Sequence, residues 1–136
     1  MDTHNITAVF NHGMSFTSHI NGHKLVTDSN SEGPGEGPSP KRLMLASLAG
    51  CTGIDVVSIL EKMKVNFSDL SIDVSAGLTE NHPQIYKDVR IIYKIKMADT
   101  DRPKMEKAVK LSEEKYCGVS AMFRAFSKVT HEILYL

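Results

Sequence analysis

SPKRLMLASLAGCTGIDVVSILEKMK, residues 39–64, is the stretch that decides the fold. Ser39 followed by Pro40 marks a helix start, because serine is a good N-cap and proline suits the first helical position. The pattern predicts a helix over residues 40–64. Residues 43–60 are apolar on nearly all sides, so this helix should be central in the fold and not lie on its surface.

The same stretch is long enough to be mistaken for a membrane span. A carboxylate, Asp55, lies near its middle together with several small polar residues, and a charge is costly in lipid. A helix buried in protein is therefore the better interpretation. The N-terminus has no basic segment followed by an apolar one, so no secretion signal is predicted. With two cysteines far apart, the expected compartment is the reducing cytoplasm.

Length and charge limit the function classes. A chain of 136 residues fits one domain, residues 1–136, with a real core. Lysines plus arginines number 16 and acidic residues 16, so the formal net charge is zero. No basic field is present to attract nucleic acid or an acidic membrane surface, and neither is an expected partner.

The N-terminal part reads as β structure. Asn21-Gly22 separates two alternating runs, a strong hairpin signal that pairs Ile20 with His23. A further strand over residues 6–10 should join them and complete a three-stranded sheet. Residues 28–40 are rich in glycine and proline and predict a loop.

The C-terminal part predicts a second sheet and two shorter helices. Two alternating strands should follow the long helix, and we expect further antiparallel pairing there. A helix should run from near Pro103 to Tyr116, broken by Gly118, and Ser120 should cap a short third helix. A final strand gives the order β-β-β-α-β-β-α-α-β, an α+β fold.

Cysteine and acidic residues are the candidates for chemistry. Cys51 and Asp55 share one helix face, being four residues apart. Cys117 lies just ahead of a predicted helix N-terminus, where the dipole favours a thiolate. No CxxC or paired ligand spacing is present, so neither a zinc-binding pattern nor a thioredoxin motif is expected. The alternative to a reactive cysteine pair is that Cys51 and Cys117 are two unrelated buried thiols. Asp55 either bonds a lysine, an arginine or a backbone N–H, or orients a cation near Cys51.

Four early histidines do not converge on a metal site. They fall on hairpin strands and turns, where solvent exposure is the simplest expectation: His4, His12, His19 and His23. No metal and no cofactor are predicted.

The motifs PSPKRLMLASLAGCTGIDVVSIL and EKYCGVSAMF resemble the OsmC/Ohr family of thiol-dependent hydroperoxide reductases, and in particular its less characterised OsmC-like branch. The resemblance covers almost the whole chain. It implies an intertwined homodimer with long central helices between curved sheets. It also implies that Cys51 attacks the peroxide, that Cys117 resolves the resulting sulfenic acid, and that a dithiol reductant restores both.

The activating residues of those reductases do not carry over. Their glutamate after the helix-initial proline is replaced by Lys41, and the chain has no arginine before Arg42. Arg42 is nine positions from Cys51, about 13 Å along a helix. Where those reductases have the arginine, the loop offers acidic residues such as Glu36. The candidates to replace the arginine are Lys41, Lys24, Arg124 or a residue of a partner chain, and Gly118 stands where proline is usual. A sluggish peroxidase is therefore expected. The alternatives are a non-catalytic dimer that binds a small apolar ligand at the dimer interface and a structural dimer with inert thiols.

Overall fold

The computed structural model of the chain describes residues 1–29 and 32–136, so residues 30 and 31 of the predicted loop lie outside the description. The Cα positions cluster into two compact units, residues 1–44 and 45–136. The order of elements is the predicted one, with three strands, a long helix, two strands, two helices and a last strand. The fold is α+β, as expected.

The N-terminal unit is a three-stranded antiparallel sheet. Its strands are β1 (Thr7–His12), β2 (Ser15–Ile20) and β3 (His23–Thr27). The predicted hairpin register is confirmed, since Ile20 pairs with His23. Asn21 and Gly22 both have positive φ, at 48° and 79°, which is the backbone that a tight two-residue hairpin turn requires.

Helix α1 spans Pro40–Lys62, two residues shorter than predicted. Its start is the predicted one, because the Ser39 hydroxyl accepts a hydrogen bond from the backbone N–H of Arg42 at 3.4 Å. Within one chain only one stripe of the helix is buried, at four-residue spacing: Leu48, Thr52, Val56 and Leu60. Ile54, on another face, is 72% exposed. The expectation of burial on nearly all sides is therefore not met by this chain alone.

The second unit is built on a three-stranded sheet, β4 (Phe67–Leu78), β5 (Tyr86–Met97) and β6 (Val129–Tyr135). Strand β5 supplies the core with its alternate residues, as predicted: Val89, Ile91, Tyr93 and Ile95 are buried. Strands β4 and β5 are antiparallel, but β6 runs parallel to β5, so the expectation of antiparallel pairing is wrong for β6. The reason is the connection, because the two helices between β5 and β6 form the crossover that parallel strands need.

The segment between β5 and β6 departs from regular helix at one point. After a short 3₁₀ turn, α2 (Arg102–Leu111) is followed by a π-helical turn at Ser112–Tyr116 and then by α3 (Gly118–Phe126). Gly118 begins α3 instead of breaking a helix. The cap is Cys117, whose sulfur accepts a hydrogen bond from the backbone N–H of Ser120 at 3.2 Å, so the prediction of Ser120 as the cap is wrong.

Among the described residues, α1 is the one helix long and apolar enough to cross a membrane. Only 22% of its most apolar 18-residue window is buried inside the chain. Length and composition are weak grounds for a membrane helix, because the core helix of a soluble protein satisfies the same criteria.

Leu48 tests how much α1 contributes to the core. Its side chain is fully buried among residues of the second sheet and α2. Leu48→Ala should lower the free energy of unfolding by about 2–5 kcal/mol, since the methyl groups leave a cavity, and Leu48→Asp should prevent folding because it buries an unpaired charge. Urea denaturation measures the first change. Lys62→Ala, at an exposed position of the same helix, should leave stability nearly unchanged, and an equal loss in both variants would contradict this account.

Candidate active site

The two cysteines of the chain meet in the second unit. Cys51 projects from the middle of α1, and Cys117 follows the π-helical turn at the start of α3. Both are free thiols, and the Sγ of Cys117 donates a hydrogen bond to the Sγ of Cys51 across 2.9 Å. Residues 66 positions apart in sequence are thus in direct contact, and a disulfide needs the sulfurs to approach by less than 1 Å.

Cys117 is the more buried of the two thiols, only 3% exposed. Burial first, and the hydrogen bond to Cys51 second, raise the pKa of the Cys117 thiol to about 12. The expectation that the helix N-terminus makes Cys117 a thiolate is therefore wrong, because loss of water outweighs the single backbone N–H that its sulfur accepts. The Cys117 thiol therefore stays protonated at neutral pH and donates the hydrogen bond between the sulfurs. The half-exposed Cys51 accepts it.

Asp55 lies beside this sulfur pair. One of its carboxylate oxygens and the two sulfurs are all within 4.8 Å of one another. The hydroxyl of Ser112 donates a hydrogen bond to Asp55 Oδ2 at 3.0 Å. A hydroxyl in the π-helical turn thus replaces the lysine, arginine or backbone N–H that the sequence suggested as its partner. In the part of the chain that the structure describes, the group of side chains that could hold a metal ion is Cys51, Asp55 and Cys117.

The π-helical turn is held on its other side by β5 and β6. Glu113 accepts a hydrogen bond from the Tyr93 hydroxyl at 3.3 Å, and its second oxygen lies 2.8 Å from His131 Nδ1. Burial and the negative charge of Glu113 raise the pKa of Tyr93, so its hydroxyl stays a donor. The turn ends with the N–H of Cys117 bonded to the Ser112 carbonyl at 2.7 Å. Such π-type turns occur frequently at functional sites.

The other candidate side chains divide between the two units. In the second unit Arg124 donates a hydrogen bond to the Ser120 hydroxyl at 2.7 Å, and the N–H of Ser120 bonds the sulfur of Cys117. In the N-terminal unit Glu36 pairs with His12 at 2.7 Å. There Arg42 bonds the hydroxyl of its own N-cap, Ser39, at 3.2 Å. Lys41 and Lys24 are exposed members of that unit, as are the four early histidines.

A pocket of about 360 Å³ opens next to Asp55 between α1 and α2. Its walls combine apolar side chains with two lysines: Asp55, Ser58, Ile59, Lys62, Met63, Lys107, Leu111 and Tyr116. Asp55 is the residue that the pocket shares with the group of side chains around the sulfurs.

Comparison with known proteins shows the family of the chain. A model of the family described as OsmC-like protein matches residues 33–132, which is most of the chain. The chain belongs to the OsmC-like family.

Individual relatives are similar over most of their length. It is 31% identical over 120 residues to Protein YhfA of Escherichia coli K12, covering 88% of each chain. A structure of a hypothetical protein from Aquifex aeolicus VF5 has a TM-score of 0.83 at 28% identity, covering 100% of this chain and 99% of that one. The organic hydroperoxide resistance protein OhrB of Bacillus subtilis has a TM-score of 0.64 at 20% identity, covering 97% and 98%. The last likeness shows the fold alone.

Sequence reasoning missed the residues that hold Cys117 in place. The sequence pattern predicted that Ser112 and Glu113 belong to a solvated helix and that His131 lies in a terminal strand. Their partners are 57, 20 and 18 positions distant, and no local pattern connects them. The only available signal was the serine and glutamate run directly before the second cysteine motif.

The raised pKa of Cys117 leads to a test by thiol titration. In the Cys51→Ser variant, the pH midpoint for alkylation of Cys117 should lie well above 9 in the folded protein, because burial alone still disfavours the thiolate. In concentrated urea the midpoint should return to about 8.5, the value of an exposed cysteine. Iodoacetamide labelling followed by mass spectrometry gives both profiles. A folded-state midpoint at or below the urea value would contradict the assignment.

Proposed function

We propose that this OsmC-like protein is a cytoplasmic thiol-dependent enzyme that reduces organic hydroperoxides through Cys51 and Cys117. The observation that carries the proposal is the 2.9 Å contact between the two sulfurs. Half-exposed Cys51 can meet a substrate, while buried Cys117 cannot do so without moving. This asymmetry supports an attacking role for Cys51 and a resolving role for Cys117.

The chemistry needs two steps and an external dithiol. In the first, the Cys51 thiolate forms a bond to the terminal oxygen of the hydroperoxide. The O–O bond breaks, and the departing alkoxide takes a proton to become an alcohol. In the second, the Cys117 sulfur attacks the sulfenic acid of Cys51, forming the disulfide and releasing water with the Cys117 proton. A dithiol reductant then exchanges with the disulfide and is itself oxidised.

The charges around the pair favour a slow reaction. The hydroperoxide reductases that this chain resembles have an arginine and a glutamate at the thiol. This chain lacks both at the expected positions. Asp55 instead brings a negative carboxylate within 4.8 Å of the sulfurs. A like charge disfavours both a thiolate and a departing alkoxide. Arg124 is connected to the Cys117 sulfur through Ser120, whose hydroxyl accepts a hydrogen bond from the guanidinium and whose backbone N–H donates one to the sulfur.

Turnover of cumene hydroperoxide with dithiothreitol tests the assigned roles. The wild type should turn over measurably but slowly, and Cys51→Ser should fall to background because the attacking sulfur is gone. Cys117→Ser should accumulate Cys51 sulfenic acid and then sulfinic acid at excess peroxide, since no resolving thiol is left. Activity in Cys51→Ser equal to that of the wild type would contradict the proposal.

We further propose that the active form is a homodimer. Members of the family are dimeric. The unpaired apolar faces of this chain include Ile54 on α1 and Met122 on α3, 72% and 64% exposed. Covering them from a second copy would satisfy the all-round apolar character of α1 that a single chain leaves unburied.

Ile54 gives a direct test of that interface. Ile54→Asp should convert the dimer to a monomer, because it places a charge on an apolar contact surface while touching nothing in the core of its own chain. Light scattering at micromolar concentration measures the change. Glu61→Gln, at an exposed position of the same helix, is the control and should stay dimeric. A wild type that is already a stable folded monomer would refute the dimer.

The pocket beside Asp55 supports a second candidate function, binding of a small apolar ligand. Ile59, Met63 and Leu111 give the pocket apolar walls. The ammonium groups of Lys62 and Lys107 could pair with an anionic end group of such a ligand. The pocket lies within one chain, whereas the sequence suggested a dimer-interface site. A rise in melting temperature with decanoate, together with no peroxide turnover, would favour this alternative over the enzyme.

A further inference from the structure

Two thiols and a carboxylate converge in the second unit, and together they form a donor set that suits a metal ion. Cys51 Sγ, Cys117 Sγ and an oxygen of Asp55 lie within 4.8 Å of one another, and each belongs to a side chain that is buried or half-buried. Thiolate sulfur selects soft or borderline metals such as Zn²⁺ and Cu(I), whereas carboxylates alone would favour Mg²⁺ or Ca²⁺. Sites with three protein ligands and water in the fourth position are typical of zinc.

The geometry is close to that of such a site. Zn–S bonds of about 2.3 Å and Zn–O bonds of about 2.1 Å place tetrahedral ligands roughly 3.5–3.8 Å apart. The sulfurs, at 2.9 Å, would have to separate by less than 1 Å. Cys51 and Asp55 sit on one face of α1 one turn apart, so two ligands come from one rigid element.

Outer contacts already orient two of the ligands. The Ser112 hydroxyl donates to Asp55 Oδ2 at 3.0 Å, and the Ser120 N–H donates to the Cys117 sulfur at 3.2 Å. Hydrogen bonds of this kind fix the orientation of metal-binding side chains in known sites. Asp55 also lines the pocket between α1 and α2, so one of the three ligands borders a cavity.

We infer that the reduced protein binds one Zn²⁺ per chain through Cys51, Cys117 and Asp55, with water as the fourth ligand. This accounts for a carboxylate at a place where a peroxide-reducing cysteine would be better served by a cation. The site uses the same sulfurs as the proposed disulfide, so zinc and oxidation exclude each other. The inference does not depend on peroxidase activity.

A competition titration tests it without any peroxide. Reduced protein, kept reduced with a phosphine, is titrated with Zn²⁺ against a chromophoric zinc indicator, and Co²⁺ absorption then reports thiolate ligation and tetrahedral geometry. The wild type should bind one equivalent. Cys51→Ser and Cys117→Ser should each lose this binding. Removing a residue that only hydrogen-bonds a metal ligand typically lowers metal affinity by about 10- to 100-fold. Asp55→Asn removes a ligand itself, so it should weaken Zn²⁺ binding by at least about tenfold.

Glu61→Gln is the matched control, because it removes one negative charge from an exposed position of the same helix and should leave the affinity unchanged. Circular dichroism verifies that every variant is folded. No Zn²⁺ retained by the wild type, or binding that survives both cysteine substitutions, would overturn the inference. Equal affinity in Asp55→Asn and the wild type would also overturn it, since the thiols alone would then hold the metal. Peroxide turnover can fail or succeed independently of each of these results.

Discussion

The contact between the middle of α1 and the π-helical turn before α3 is the interaction on which the site depends. Its centre is the hydrogen bond between the two sulfurs, and the bond from Ser112 to Asp55 reinforces it. Each side is anchored in the core: α1 by its stripe of buried residues, and the turn by Glu113, which Tyr93 and His131 hold from the sheet. The pairing of two distant cysteines thus follows from the packing of one helix against one sheet.

The charge of the site decides what this pairing can do. Burial keeps Cys117 protonated, and Asp55 adds a carboxylate beside Cys51. A carboxylate beside the sulfurs slows attack on a peroxide, because the attack produces a negatively charged leaving group, but the same carboxylate favours a bound cation. The redox chemistry and the metal site draw on one set of side chains, and the state of the sulfurs would determine which of the two is possible.

Much of the fold was predictable because its signals are local. The Asn-Gly turn, the Ser-Pro helix start and the alternation of β5 each depend on neighbouring residues, and all three are confirmed. The parallel pairing of β6 was not predictable, because alternation marks a strand but not its direction. The cap by Cys117 was missed because sulfur is a weak acceptor and Ser120 looked like the better cap.

The site was predictable only in part, for a related reason. Resemblance to a family suggested the cysteine pair, and helical spacing put Asp55 on the face of Cys51. The partners of Asp55 and of the π-helical turn come from elements that meet only in three dimensions, so their roles needed coordinates. The same limit applies to the raised pKa of Cys117, because burial of one thiol depends on the whole core around it.

The most direct test of the account is the product formed when the reduced protein meets one equivalent of an organic hydroperoxide. Proteolysis without reduction, followed by mass spectrometry, identifies which sulfurs have joined. The account predicts one disulfide per chain between Cys51 and Cys117, formed within a single chain, because the two sulfurs are already 2.9 Å apart. A stable sulfinic acid on Cys51 with Cys117 still a free thiol, or a disulfide that links two chains, would contradict it.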